Sequence, residues 1–211
     1  MSRSWQPWWE AVPEAALLAW LVELGTLRYA PAHRQRQRLP QLAAQACGWG
    51  AVPLASPGEE LARELVRQTP EHPPASDAPL GRHWHWLQAA LAHPEHRLVV
   101  YGTLAPGQCN HWVVEHIPGR WHPAAIRGHL DWCGRIPYLS WSPRHPELDV
   151  QVFCSPQLPQ HWEAIDSFEG NAYRRVLIPA WIDGTRWPCY VYHARASWPP
   201  PGLNILPAEE I

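Results

Sequence analysis

The chain has 211 residues, 46% of them hydrophobic, enough for one or two domains with a real core. A formal net charge of -2 and an isoelectric point near 6.7 remove any general electrostatic reason to bind nucleic acid or an anionic membrane, so partners must be argued locally. Five Cys, an odd number with no CxxC pair, and no secretion signal fit reduced thiols in a cytoplasmic protein.

Residues 1–95 read as a helical N-terminal region whose role the sequence leaves open. Trp5, Trp8 and Trp9 surround Pro7, and a helix is predicted from about 13 to 27. Leu17, Leu21 and Leu24 share one face of it, and Leu18 and Trp20 widen the stripe. Its most apolar part, residues 15–24, carries Glu23 and is too short to cross a membrane, which takes about 20 apolar residues. A basic run from His33 to Arg38 leads into a helical patch at 41–47. Arg34 and Arg36 there suit a solvated helix face better than a nucleic-acid contact, because the chain as a whole is not basic. Ser56-Pro57-Gly58-Glu59 is a helix start, with Ser56 as cap, Pro57 in the first turn and Glu59 closing a capping box, and predicts a helix to 68. Residues 69–81, rich in Pro, Ala, Ser and Asp, read as a linker and place the domain boundary. A short helix at 83–92 follows, with Trp84, Leu87 and Leu91 on one face.

From Arg97 the pattern changes to strands, predicted at 98–101, 124–130, 138–141, 149–154, 173–180 and 187–192. Asp183-Gly184 between the last two is a hairpin signal. A helix over 158–168, started by Pro159, interrupts them. Many short strands around one inserted helix imply an α+β domain with a curled mixed sheet over 96–195. A Pro-rich tail, 196–211, ends the chain.

The organising stretch is 98–110, where a short apolar strand runs into Tyr101-Gly102-Thr103-Leu104 and then Pro106-Gly107. A glycine turn of this kind lines up backbone N–H groups that suit a carboxylate or phosphate, and it is equally the ordinary end of a strand in a β-turn. Tyr101-Gly102-Thr103-Leu104, Pro106-Gly107 and Asn110 resemble the opening signature of the gamma-glutamylcyclotransferase-like, or AIG2-like, family. Ile165-Asp166-Ser167-Phe168-Glu169-Gly170 and Tyr173-Arg174-Arg175-Val176 resemble its second signature, at a fitting distance. The resemblance spans 97–194 and implies a small barrel-like sheet around a cavity.

In the inserted helix, Leu158, Trp162, Ile165 and Glu169 fall on one face, so an acid lines up with three large apolar residues. It also stands at the helix C-terminus, before Gly170. Burial and the helix dipole would both raise its pKa towards that of a base working near neutrality. Spacing alone equally allows Glu169 to turn outward or to pair with Arg174 or Arg175. The resemblance decides for Glu169 as catalytic acid/base, and Asp166 ranks below it as a structural partner. The chemistry implied is a lyase-type acyl transfer in which the α-amine of a small-molecule γ-glutamyl amine attacks its own γ-carbonyl and releases 5-oxoproline. Tyr101, Gly102, Thr103 and Leu104 would hold a substrate oxygen, and Tyr173 would line the pocket. No cofactor or metal is asked for.

Two departures from the family pattern, the missing glycine in 149–154 and the order Pro137-Tyr138, leave the amine open. Three readings compete. Cys109, His111, His116, His122, His129 and Cys133 crowd one region without zinc-like spacing. Cys109 near His111 is a candidate nucleophile. The domain is alternatively a non-catalytic binding or interaction module.

Overall fold

A computed structural model describes residues 7–51, 78–134 and 136–195. Their contacts divide into two compact units, one from residues 1–17 and 26–93 and one from residues 18–25 and 94–211.

The first unit is helical, and the 18–25 stretch of the second lies in one of the same helices. A 3-10 turn, Trp8–Ala11, precedes helix α1, Glu14–Leu27, and α2, Ala32–Gly48, is followed by α3, Ala78–Ala90. The buried side of α1 is wider than the predicted stripe of Leu17, Leu18, Trp20, Leu21 and Leu24, because Val22 and Leu27 are buried as well. α2 starts at Ala32, well before the expected patch at 41–47, and runs through Pro40. Gln and Arg are good helix formers, so the basic run of 33–38 continues the helix that Pro31 opens. Arg36 and Gln37 are exposed, while Leu39, Leu42 and Ala46 form the buried side. Trp84 Nε1 donates to Gln35 Oε1 at 3.1 Å, and Trp8 Nε1 donates to the Ala90 carbonyl at 2.7 Å. α3 begins at Ala78, so 78–81 is helix where a linker was expected. The expected helix at 56–68, the rest of that linker and the tail at 196–211 lie outside the described residues.

The second unit is a mixed sheet of β1 (Arg97–Val100), β2 (Arg120–Cys133), β3 (Ile136–Trp141), β4 (Glu147–Cys154), β5 (Tyr173–Ile182) and β6 (Thr185–Ala194). β1 pairs antiparallel with β4 and parallel with β6, and the order is β3-β2-β4-β1-β6-β5. β2 also meets β5 at Ala125 and Trp181, so five strands close into a barrel and β3 hangs from β2. β2 manages this by length. Residues 120–127 pair with β4 and 128–133 with β3. Only 124–130 was legible as a strand, because both ends are largely exposed and carry no apolar alternation.

Alternation fills the barrel. Val150 and Val152 on β4, and Val176, Ile178 and Ala180 on β5, point to one face and join Val99, Ile126 and Val191. Leu18 and Val22 of α1 belong to the same cluster. Asp183 and Gly184, at φ 49° and 77°, make the two-residue turn with both residues at positive φ that suits the β5–β6 hairpin.

Two helices accompany the sheet, the short α4, Trp112–Glu115, and α5, Leu158–Glu169. Leu158, Trp162 and Ile165 of α5 are buried, Trp162 meets Tyr190 edge-on at 5.8 Å, and its Nε1 donates to the Glu95 carbonyl at 3.1 Å. Among the described residues, no helix is long and apolar enough to cross a membrane.

The hanging strand is tied down by a buried imidazole. The Trp141 N–H donates to His193 Nε2 at 2.8 Å, so the ring proton sits on Nδ1, which donates to the Ala194 carbonyl at 2.7 Å. Burial pushes the His193 pKa from 6.5 down to about 4. Below the unfolded value the unfolded chain binds a proton that the folded ring refuses, so this stability is lost as pH falls from 6.5 towards 4. Urea unfolding should show a loss of about 2 kcal/mol between roughly pH 7.5 and pH 5 from this residue. His193→Gln, which keeps an acceptor but does not titrate, should remove most of that dependence.

Candidate active site

Leaving β1, the chain folds back on itself through 101–110. The N–H groups of Ala105, Gln108 and Asn110 donate to Gly102, Ala105 and Thr103 carbonyls at 3.0 Å, and Asn110 Nδ2 adds a bond to Thr103 Oγ1 at 3.0 Å. Among the described residues, the N–H groups of Gly102, Thr103 and Leu104 donate to no protein acceptor. Gly102 is needed for close packing, not for its backbone angles, because a Cβ there would stand 2.6 Å from Pro137 Cγ. Tyr101 anchors the start of the loop by donating its hydroxyl to the Tyr192 carbonyl at 2.7 Å.

This loop forms one wall of a cavity of about 290 Å³. Glu169 and Tyr173 line the same cavity, so all six residues singled out from the sequence meet there. Sequence reasoning missed several others. Tyr138 stacks on Tyr173 at 5.3 Å with the rings 9° from parallel, and Tyr173 donates its hydroxyl to the Pro137 carbonyl at 2.8 Å. The unusual Pro137-Tyr138 pair was the available signal. Burial, then the charge of Glu169 and the neighbouring Tyr138, push the Tyr173 phenol up to about 12. Burial and then Glu169 raise Tyr101 as well.

Glu169 is the last residue of α5, and the chain then reverses at Gly170, whose φ of 64° and ψ of -162° suit only glycine. Its side chain is half-buried. Burial first, and the Asp166 carboxylate second, raise the Glu169 pKa from 4.5 to about 7. The second cause is a neighbouring charge where the helix dipole was expected. Nor does Glu169 pair with Arg175. That guanidinium grips Asp166 in two bonds, Nε to Oδ1 at 2.9 Å and Nη2 to Oδ2 at 2.8 Å, and Tyr192 donates its hydroxyl to Asp166 Oδ1 at 2.6 Å. Arg175 itself lies over the Trp162 ring, 4.0 Å from its centroid, with its side chain fully buried.

Residues 98–210, just over half of the chain, match the family described as gamma-glutamyl cyclotransferase, AIG2-like. The chain belongs to that family. No curated protein matches it. Among solved structures, YkqA from Bacillus subtilis is similar at 20% identity and a TM-score of 0.41, over 47% of this chain and 36% of that one. An uncharacterized protein from Pyrococcus horikoshii is similar at 23% identity and 0.36, over 46% and 76%. An AIG2-like protein from Mus musculus is similar at 22% and 0.38, over 49% and 80%.

Other sequence candidates go elsewhere. Cys109 lines neither this cavity nor the hollow beside it. His111 Nδ1 lies 2.9 Å from the Leu104 carbonyl, His116 meets the His161 ring, and His129 faces Asp131 at 3.2 Å. Among the described residues, no three of the six Cys and His that crowd that stretch bring their ligand atoms together.

Removing the charge of Asp166 while keeping its shape separates its two effects. Asp166→Asn should lower the Glu169 pKa below about 7, read by carbon NMR of the labelled carboxyl. It should also lower stability in chemical unfolding by about 3 kcal/mol, since a buried guanidinium loses its counter-charge.

Proposed function

We propose that the protein releases 5-oxoproline from a small-molecule γ-glutamyl amine by intramolecular aminolysis, with Glu169 as general acid/base. The observation that carries this reading is the Glu169 carboxyl lining the cavity walled by the Tyr101–Leu104 loop, where burial and the Asp166 charge push its pKa up to about 7. Family membership supports the reaction class.

The unprotonated α-amine of the γ-glutamyl group attacks the γ-carbonyl carbon and forms the new C–N bond of a five-membered lactam. Glu169 as carboxylate takes the proton that this nitrogen sheds. The resulting acid gives the proton to the departing nitrogen as the original C–N bond breaks, and Glu169 returns to its carboxylate form. No water is consumed. Because the nucleophile belongs to the substrate, the protein's task is to fold the γ-glutamyl chain into attack geometry. The N–H groups of Gly102, Thr103 and Leu104 are available to hold a substrate oxygen, and Tyr173 forms part of the opposite wall.

Glu169→Gln should lower kcat for 5-oxoproline release by about 10²- to 10⁴-fold, measured by chromatography, with the unfolding midpoint unchanged. Unchanged turnover removes Glu169 from the mechanism. Since the base acts deprotonated, protonation of Glu169 should by itself lower kcat/KM about tenfold per pH unit below about 7. Binding of γ-glutamyl compounds without turnover in the unaltered protein assigns the domain as a binding module instead.

A further inference from the structure

The sheet unit exposes four large apolar side chains among the described residues: Trp112 at 60%, Trp132 at 63%, Ile136 at 50% and Phe168 at 39%. All four stand at or beside the candidate site. Ile136 and Phe168 line the Glu169 cavity, and Trp112 meets Phe168 edge-to-face at 5.7 Å. Trp132 lines a second hollow of about 360 Å³, which shares Tyr101, Gly102, Thr103 and Pro137 with the first. Single exposed apolar residues are ordinary, but a patch gathered around two adjoining hollows marks a surface that something apolar covers.

Charge narrows the occupant. Among the described residues lining the two hollows, Glu169 and Asp149 are the charged ones, and no Lys, Arg or His faces either space. The carboxylate of the γ-glutamyl half has the loop N–H groups to meet it. A second carboxylate on the departing half, as in a γ-glutamyl amino acid or peptide, would meet Glu169 in the first hollow or Asp149 in the second and, among the described residues, no cation in either.

We propose that the amine expelled is an apolar amine without a carboxylate, carrying an aromatic or extended alkyl body that rests on Phe168, Ile136 and Trp112. The inference rests on the cyclotransferase reading of the Glu169 cavity and specifies its leaving group. The apolar rim supplies affinity for that body, about fourfold for each methylene buried, while the loop and Glu169 handle the γ-glutamyl half that every substrate shares.

The test compares 5-oxoproline release from γ-glutamylanilide, γ-glutamylhexylamide, γ-glutamylmethylamide and γ-glutamylalanine. The expected kcat/KM for the anilide and hexylamide exceeds that for the methylamide by about tenfold or more, with γ-glutamylalanine lowest. Phe168→Ser and Trp112→Ser should bring the anilide-to-methylamide ratio towards one, with folding checked by thermal midpoint. A γ-glutamylalanine turned over as well as the anilide, or a ratio indifferent to both substitutions, overturns the proposal. If none of the four is turned over, the cyclotransferase reading fails, and calorimetry on Glu169→Gln decides the rim separately. Tighter binding of the anilide than of γ-glutamylalanine, weakened by Phe168→Ser, keeps the assignment of an apolar ligand; equal or undetectable binding ends it.

Discussion

A guanidinium with no access to water must have a counter-charge, and Arg175 finds it in Asp166 on the last turn of α5. That constraint fixes where the helix ends. Trp162, one face of which covers Arg175 while its indole N–H reaches Glu95, fixes the angle at which α5 crosses the sheet. Glu169 follows Asp166 by one helical turn, and Gly170 turns the chain away at once, so the acid is left projecting where the helix has no further turn to hide it. The same carboxylate that neutralises Arg175 presses on the titration of Glu169. Structure and acidity therefore share one residue.

The opposite wall of the cavity depends on the closure of the barrel. β1 is short and buried throughout, held between β4 and β6, so its end delivers Tyr101 into the interior before the chain turns. Tyr101 is fastened to β6 through the Tyr192 carbonyl, and the Tyr192 hydroxyl reaches Asp166. Loop and helix, far apart in sequence, are thus joined through a single tyrosine on a third element. The Tyr138–Tyr173 stack closes the space from the β3 and β5 side.

Much of this was legible in the sequence because it rests on local rules. Val150-x-Val152 and Val176-x-Ile178 announce strands by alternation, Asp183-Gly184 announces a turn by its tolerance of positive φ, and the row Leu158, Trp162, Ile165, Glu169 lines an acid up with three apolar residues, although spacing alone left it equally free to turn outward. What escaped depends on partners distant in the chain. Tyr192 has no local sign that it will bridge to Asp166, and the stack of Tyr138 on Tyr173 requires β3 to reach the start of β5. The early start of α2 was hidden by Pro40, which looks like a boundary yet lies inside the helix. The apolar rim was hidden by composition. In a chain with 15 Trp, an exposed indole and a buried one read alike.

The contact between Gly102 and Pro137 has a reach beyond its size. These two residues line both hollows, and a Cβ on Gly102 would stand 2.6 Å from the Pro137 ring. Pro137 also lends its carbonyl to Tyr173, whose ring is laid against Tyr138. Bulk added at Gly102 would therefore press through the Pro137 ring on the aromatic wall, and would be felt in both compartments.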